Sequence, residues 1–390
     1  MKPPSIYLDA HASTPVAPEA VEALVTHLVN PANPHSPHAA GAIAHEAVEA
    51  ARQAVGNLIG AAPGEIFFTS GATEANNIAI LGVARAAAKV SSRRSIVTST
   101  IEHPSVLEAA AALSEEGFTH RLVPVDPDGR MDLDALAKAL DDDVLLMCLM
   151  AANNVTGIIQ PVREAAALAR AAGAMVHCDA AQLGGRVAVD VFDLDVDFLS
   201  LSAHKMHGPP GIGALYVSAT AEVRPNPLVF GGGQEQGLRS GTVPAASVAA
   251  FGVAARLVQD QRARDTDHVA ALATNFVSAL EELQVRFVTI GSDRHRLPGS
   301  INIAFIGCDA HELVERLSKD VALSTGSACS SGQITTSPIL EAMKLSEPLK
   351  RASVRICFNR YSNVSDADGS ARAIATVIRE IELATGSAVQ

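Results

Sequence analysis

The chain has 390 residues, of which 48% are hydrophobic and 18% charged, a balance that excludes disorder or a coiled coil as the main state. That length predicts two or three domains and a core large enough to fold without disulfide or metal staples. The formal charge is −12 with no long basic run, which argues against a dedicated nucleic-acid binder.

The first 15 residues read as a segment packing with a small domain. From Pro18, the apolar residues Val21, Leu24, Val25, Leu28 and Val29 recur at helical spacing, with proline near the first helical position. Residues 44–59 repeat the pattern through Ala47, Val48, Ala51, Val55 and Leu58, and stop at Gly60. Short apolar runs then alternate with helical segments at 65–69, 95–99, 144–150, 175–178, 198–201 and 212–217. These runs are continuously apolar, as expected for strands buried on both faces of a mostly parallel sheet. Residues 16–255 are therefore expected to form a large α/β domain. A long helix is expected over 252–283, with room for a break at the charged stretch 262–267. Strands at 285–290, 300–306, 321–324 and 352–358, with helices at 310–319 and 366–385 (Ser365 as N-cap), predict a smaller α/β domain over 256–390. The longest apolar run, 144–152, is too short to span a membrane. Residues 1–7 lack a charged stretch followed by an apolar one, so no secretion signal is read. The expectation is a soluble, cytoplasmic protein with no membrane partner.

Five cysteines, Cys148, Cys178, Cys308, Cys329 and Cys357, form no C-x-x-C pair. Neither a secreted disulfide framework nor a zinc site follows, but one reactive thiol does not conflict with the pattern. His35, His38 and His45 have no carboxylate or cysteine to complete a metal set, so no metal is expected.

Open parallel sheets bind ligands outside the carboxyl ends of their strands. After 65–69 comes Ser70-Gly71-Ala72-Thr73-Glu74, a small-residue turn at a helix start, suited to a phosphate. Glu102-His103 follows 95–99, Asn153-Asn154 follows 144–150, and Asp179 with Gln182 follows 175–178. Ser202-Ala203-His204-Lys205 follows 198–201. Singly, each is as readily a helix cap or a solvated loop residue. Together, an anion cradle, a histidine, an amide, a carboxylate and a lysine at five strand ends suggest pyridoxal phosphate (PLP). The lysine would form the Schiff base, the carboxylate would hold the pyridine nitrogen protonated, and the helix terminus would hold the phosphate. The run 208–213 is not G-x-G-x-x-G and precedes a strand, so a dinucleotide site is poorly supported, and no P-loop occurs.

These segments resemble the cysteine desulfurases of the class V aminotransferase family, on the PLP fold-type I scaffold. The resemblance rests on them together with the glycine-rich stretches 208–217 and 231–242, Gly326-Ser327-Ala328-Cys329 and Arg355. It implies Lys205 as the Schiff-base lysine, Asp179 as partner of the pyridine nitrogen and Gln182 as contact of the ring's phenolic oxygen. Ala72, Thr73, Ser202 and His204 would help bind the cofactor, with Thr242 reaching in from the other subunit of a homodimer. His103 would stack on the ring and act in proton transfer. Asn154 and Arg355 would hold the substrate carboxylate, and Asn154 would also meet the cofactor. Cys329, between small residues, would be the sulfur-accepting nucleophile. The implied activity turns L-cysteine into L-alanine and leaves a persulfide for an acceptor protein such as an iron–sulfur scaffold. A related lyase acting on selenocysteine or another sulfur amino acid, and a catalytically silent scaffold, remain as alternatives. Val155 and Pro210 depart from the common family pattern, as do residues 333–336 after the cysteine.

Overall fold

The computed structural model describes residues 6–30, 32–183, 185–325 and 337–385. Its strands are β1 (Ile6–Tyr7), β2 (Ile66–Thr69), β3 (Ser95–Ser99), β4 (Thr119–Val123), β5 (Val144–Met150), β6 (Met175–Asp179), β7 (Phe198–Ser202), β8 (Gly213–Val217), β9 (Phe287–Thr289), β10 (Ser300–Phe305), β11 (Val321–Ala322) and β12 (Ser353–Cys357). Seven of them form one sheet in the order β2-β8-β7-β6-β5-β3-β4. β8 runs antiparallel to both neighbours and the remaining pairs are parallel. Two apolar clusters cover its faces, which is why the central strands are apolar throughout. The edge strand β4, Thr-His-Arg-Leu-Val, escapes the sequence reading because one side of it meets solvent and its residues are mostly polar.

Register sets up the site. Met150, Asp179 and Ser200 lie side by side across β5, β6 and β7. Gly213 opens β8 between Ser202 and Thr69. A side chain at Gly213 would place its Cβ 2.6 Å from the Gly71 Cα, so glycine there lets the turn after β2 approach the sheet.

The C-terminal sheet is β12-β10-β9, antiparallel, and β1 pairs in parallel with β11. Leu8 packs in the same cluster as Phe276, Ile303 and Ile356. The helix Ala245–Glu282 runs unbroken through the charged stretch at 262–267, where room for a break was expected. Position 255 falls inside this helix, which packs on Pro18–Val29 and Ala39–Ile59 at one end and on Val364–Thr385 at the other. Charged residues do not end a helix whose other faces are covered by three neighbours. Ser365 lies inside the last helix rather than capping it. The reciprocal bonds Asn363 N to Asp366 Oδ2 and Asp366 N to Asn363 Oδ1 form the cap. No helix among the described residues is long and apolar enough to cross a membrane.

Candidate active site

The carboxyl ends of the parallel strands, the segment after β1 and the C-terminal sheet enclose a cavity of about 570 Å³. At one end lie Gly71, Ala72 and Thr73, opening the helix Ala72–Asn77, with Ser202 and His204 beside them. The first N–H groups of a helix have no intrahelical partner and favour an anion. Burial, then the neighbouring Lys205 cation, pushes His204 down to about 4, so it is a neutral donor or acceptor.

At the centre is Asp179, buried, with Oδ1 accepting from Ala181 N at 3.0 Å and Oδ2 from Asn76 Nδ2 at 2.8 Å. Asn76 also donates to Ser105 Oγ at 2.9 Å, and Ser105 reaches His103 Nδ1 through both Oγ (2.8 Å) and N (3.1 Å). Because the Ser105 N–H can only donate, Nδ1 must accept, and a neutral His103 carries its proton on Nε2. Burial lowers the His103 pKa, which favours that neutral form.

Lys205 ends the short helical turn after β7 and donates to His11 O at 2.5 Å and Ala12 O at 2.9 Å. Burial, followed by Arg355 and Arg186, lowers its pKa to about 8, against the opposing pull of Asp179 and Asp9. A lysine poised there is a base and nucleophile at moderate pH. Gln182 is tied at both ends of its amide to His11: Oε1 to Nδ1 at 2.8 Å and Nε2 to the backbone O at 3.0 Å.

Across the cavity Arg355 on β12 donates to Asp9 Oδ1 at 2.6 Å and to Asn154 O at 2.9 Å. Among the described residues its buried Nε has no partner, leaving donor capacity for an anionic group. Beneath the site, Glu102 accepts from Ser99 Oγ at 2.5 Å and Met150 N at 2.9 Å. Burial pushes its pKa up to about 8, so this carboxyl is protonated at neutral pH.

Ala72, Thr73, His103, Asn154, Asp179, Gln182, Ser202, His204, Lys205 and Arg355 thus line one cavity. Thr242 is exposed and does not line the cavity of a single chain. Cys329 lies outside the described residues. His11, Asn76, Ser324 and Asp9 were not anticipated. His11 meets its partners 171 and 289 positions away, so no local pattern marks it, whereas Asn76 sits in the helix that the small-residue turn announces. Among the described residues no cluster of three or more histidine, cysteine or carboxylate residues could hold a metal.

The aminotransferase class-V family pattern matches residues 6–369. A cysteine desulfurase IscS of Anaeromyxobacter sp. is 40% identical over 379 residues, covering 96% of this chain and 93% of that protein. The mitochondrial cysteine desulfurase of Saccharomyces cerevisiae is 40% identical over 377 residues, covering 96% and 75%. The chain belongs to the class V aminotransferase family, among its cysteine desulfurases. A solved NifS-like protein superposes on it with a TM-score of 0.89 at 32% identity, covering 96% of this chain and 99% of the other. SspA, solved in complex with cysteine, superposes with a TM-score of 0.79 at 33% identity, covering 92% and 100%.

A cysteine desulfurase of this family would hold a phosphorylated pyridine aldehyde. That group needs an anion cradle, a carboxylate for the ring nitrogen, a donor for the ring oxygen and an amine for the aldehyde. The turn at 71–73 with Ser202, the twice-bonded Asp179, the Gln182 amide and the Lys205 amine supply all four around one cavity. The residues present fit the group.

Proposed function

We propose that this chain binds PLP and converts L-cysteine to L-alanine, moving the sulfur to Cys329 as a persulfide for onward donation. The observation that carries the reading is the Lys205 amine, lowered to about 8 and sharing one cavity with Asp179 and Arg355. When bound, the cofactor supplies an electron sink for the bond broken at the substrate Cα.

Arg355 and Asn154 orient the substrate carboxylate, the guanidinium fork suiting two oxygens. Lys205 Nζ takes the proton from the substrate Cα. His103, neutral and protonated on Nε2, can return a proton to the substrate. The Cys329 thiolate attacks the substrate sulfur and the Cβ–S bond breaks. Cysteine plus thiol thus gives alanine plus persulfide, with no other reactant. The other cysteines suit packing: burial raises the Cys148 and Cys178 thiols well above their usual range, and Cys308 to about 11.

We place a second copy of the chain against the exposed Val229 and Phe230, next to the segment that carries Thr242. In that homodimer Thr242 serves the partner's cofactor site.

Mass spectrometry after incubation with PLP and L-cysteine tests the reading. The expected result is one added sulfur on the peptide holding Cys329, absent in Cys329→Ala and Lys205→Ala. Undiminished sulfide release by Cys329→Ala without reductant would overturn the persulfide route. Turnover of L-selenocysteine but not L-cysteine would replace the substrate.

A further inference from the structure

We infer that His11 is a positioning residue that fixes which end of the Gln182 amide faces the cofactor cavity. The inference rests on the PLP reading above and concerns a residue in the segment after β1.

The bonds leave one arrangement. The His11 backbone oxygen can only accept, so the Gln182 atom 3.0 Å from it is the amide nitrogen. The other amide atom is then the oxygen, which also only accepts, so the His11 Nδ1 at 2.8 Å must carry a proton. His11 Nε2 lies 2.7 Å from Ser300 Oγ on β10. The ring is wholly buried, and three cations surround it: Arg186 from the loop after β6, Arg355 from β12 and Lys205 from the turn after β7. Burial first, and those charges next, hold its pKa well below the ordinary value. The ring is therefore neutral, with Nε2 bare and accepting from the Ser300 hydroxyl.

The consequence lies at Gln182. With its oxygen and one amide proton taken by His11, the second Nε2 proton is left for the cavity. Rotating the amide would set two oxygens against each other at the His11 carbonyl, so a donor is presented and not an acceptor. The same carbonyl takes the Lys205 amine, so residue 11 orders two cofactor-facing groups at once. Ser300 belongs to the C-terminal sheet, and the ring therefore ties this arrangement across the cavity. Gly157 presses the tie closed. At φ +72 it sits where an added Cβ would come within 2.7 Å of Ser300 Cβ.

Two variants separate this role from simple packing. Asparagine places an amide N–H near the position of Nδ1, whereas glutamine places one near Nε2. In the PLP-loaded chain, His11→Gln should raise the pH midpoint of the cofactor's visible absorption by about one unit. A donor to the ring oxygen stabilises the deprotonated form, and in His11→Gln the Gln182 amide keeps only its bond to the residue 11 carbonyl and holds that donor less firmly. His11→Asn should return the midpoint to the wild-type value, and Ser300→Ala should raise it less than His11→Gln does. Equal midpoints in wild type and His11→Gln, or equal shifts in both variants, would overturn the inference. A merely structural role would lower the melting temperature of both without separating their midpoints.

The cofactor-free chain gives an independent reading. With nitrogen-labelled histidine, wild type should show, in addition to His207, whose Nδ1 faces the Pro15 carbonyl, a ring protonated at Nδ1 and bare at Nε2, unchanged between about pH 5 and 8. That ring should vanish in His11→Asn. If the ring missing from His11→Asn is protonated at Nε2, or titrates in that range, the assignment is refuted; should that variant fail to fold, a wild-type spectrum with His207 as the sole such ring refutes it. A chain that never acquires visible absorption with PLP fails the cofactor reading instead, and leaves the nuclear magnetic resonance result to decide His11.

Discussion

Asn76 and Asp179, 103 positions apart, are joined by a 2.8 Å hydrogen bond, and the same Asn76 nitrogen continues to Ser105 and so to His103. One buried amide therefore orients both the carboxylate and the histidine of the cavity. Asn76→Leu removes a donor from a buried carboxylate while leaving the Ala181 N–H. The expected cost is about 1–3 kcal/mol in urea unfolding, with weaker PLP retention on dialysis. Ser105→Ala leaves His103 Nδ1 the Ser105 backbone N–H and should cost less on both measures.

Lys205 is destabilising in its charged form. Its folded pKa of about 8 lies below the ordinary lysine value of 10.5, so the unfolded chain binds more protons between those values and stability rises with pH across that window. Lys205→Met removes the buried charge. The cofactor-free variant should be more stable than wild type near pH 7. The difference should shrink by up to about 1.4 kcal/mol per pH unit between pH 8 and 10.5. Chemical denaturation of both chains across that range reads it directly. A pH-independent difference contradicts it.

Glu102 has the opposite sign. Its folded pKa of about 8 lies above the ordinary glutamate value of 4.5, so the folded chain binds more protons between them and stability falls as pH rises. Glu102→Gln keeps an oxygen for Met150 N and cannot ionise. Wild type should lose stability relative to this variant by up to about 1.4 kcal/mol per unit from pH 4.5 to 8. Parallel stability curves for the two proteins would show that Glu102 is ionised in the fold.

Arg52 on the helix Ala39–Ile59 grips Glu235 with two bonds of 2.9 and 2.8 Å, and Phe68 N adds a third at 2.7 Å. Glu235 is buried at the foot of the segment that carries Thr242. Arg52→Leu strands that carboxylate and should cost about 3–5 kcal/mol, whereas Arg52→Leu with Glu235→Gln should recover much of it. Calorimetry of the single and double variants decides between them. If Thr242 serves a partner subunit, the single variant also loosens the dimer in sedimentation.

The sequence by itself determined the alternation of buried strands and helices and the set of groups at their ends. Continuous apolar runs can lie only inside a covered sheet, and ligand-facing residues must follow the strands of such a sheet. Asp179, Lys205, His103 and the turn at Ser70–Thr73 were legible for that reason. The exposed edge strand β4 was not, nor the continuity of the 38-residue helix, because solvent on one side and neighbours on three are properties of the packed chain. The tertiary structure alone decided how the groups are held. His11 finds Gln182 and Ser300, Asn76 finds Asp179, and Asp9 finds Arg355, each across more than a hundred residues. Hydrogen bonds depend on direction and distance in space, and only the folded sheet and its C-terminal partner bring those atoms within reach.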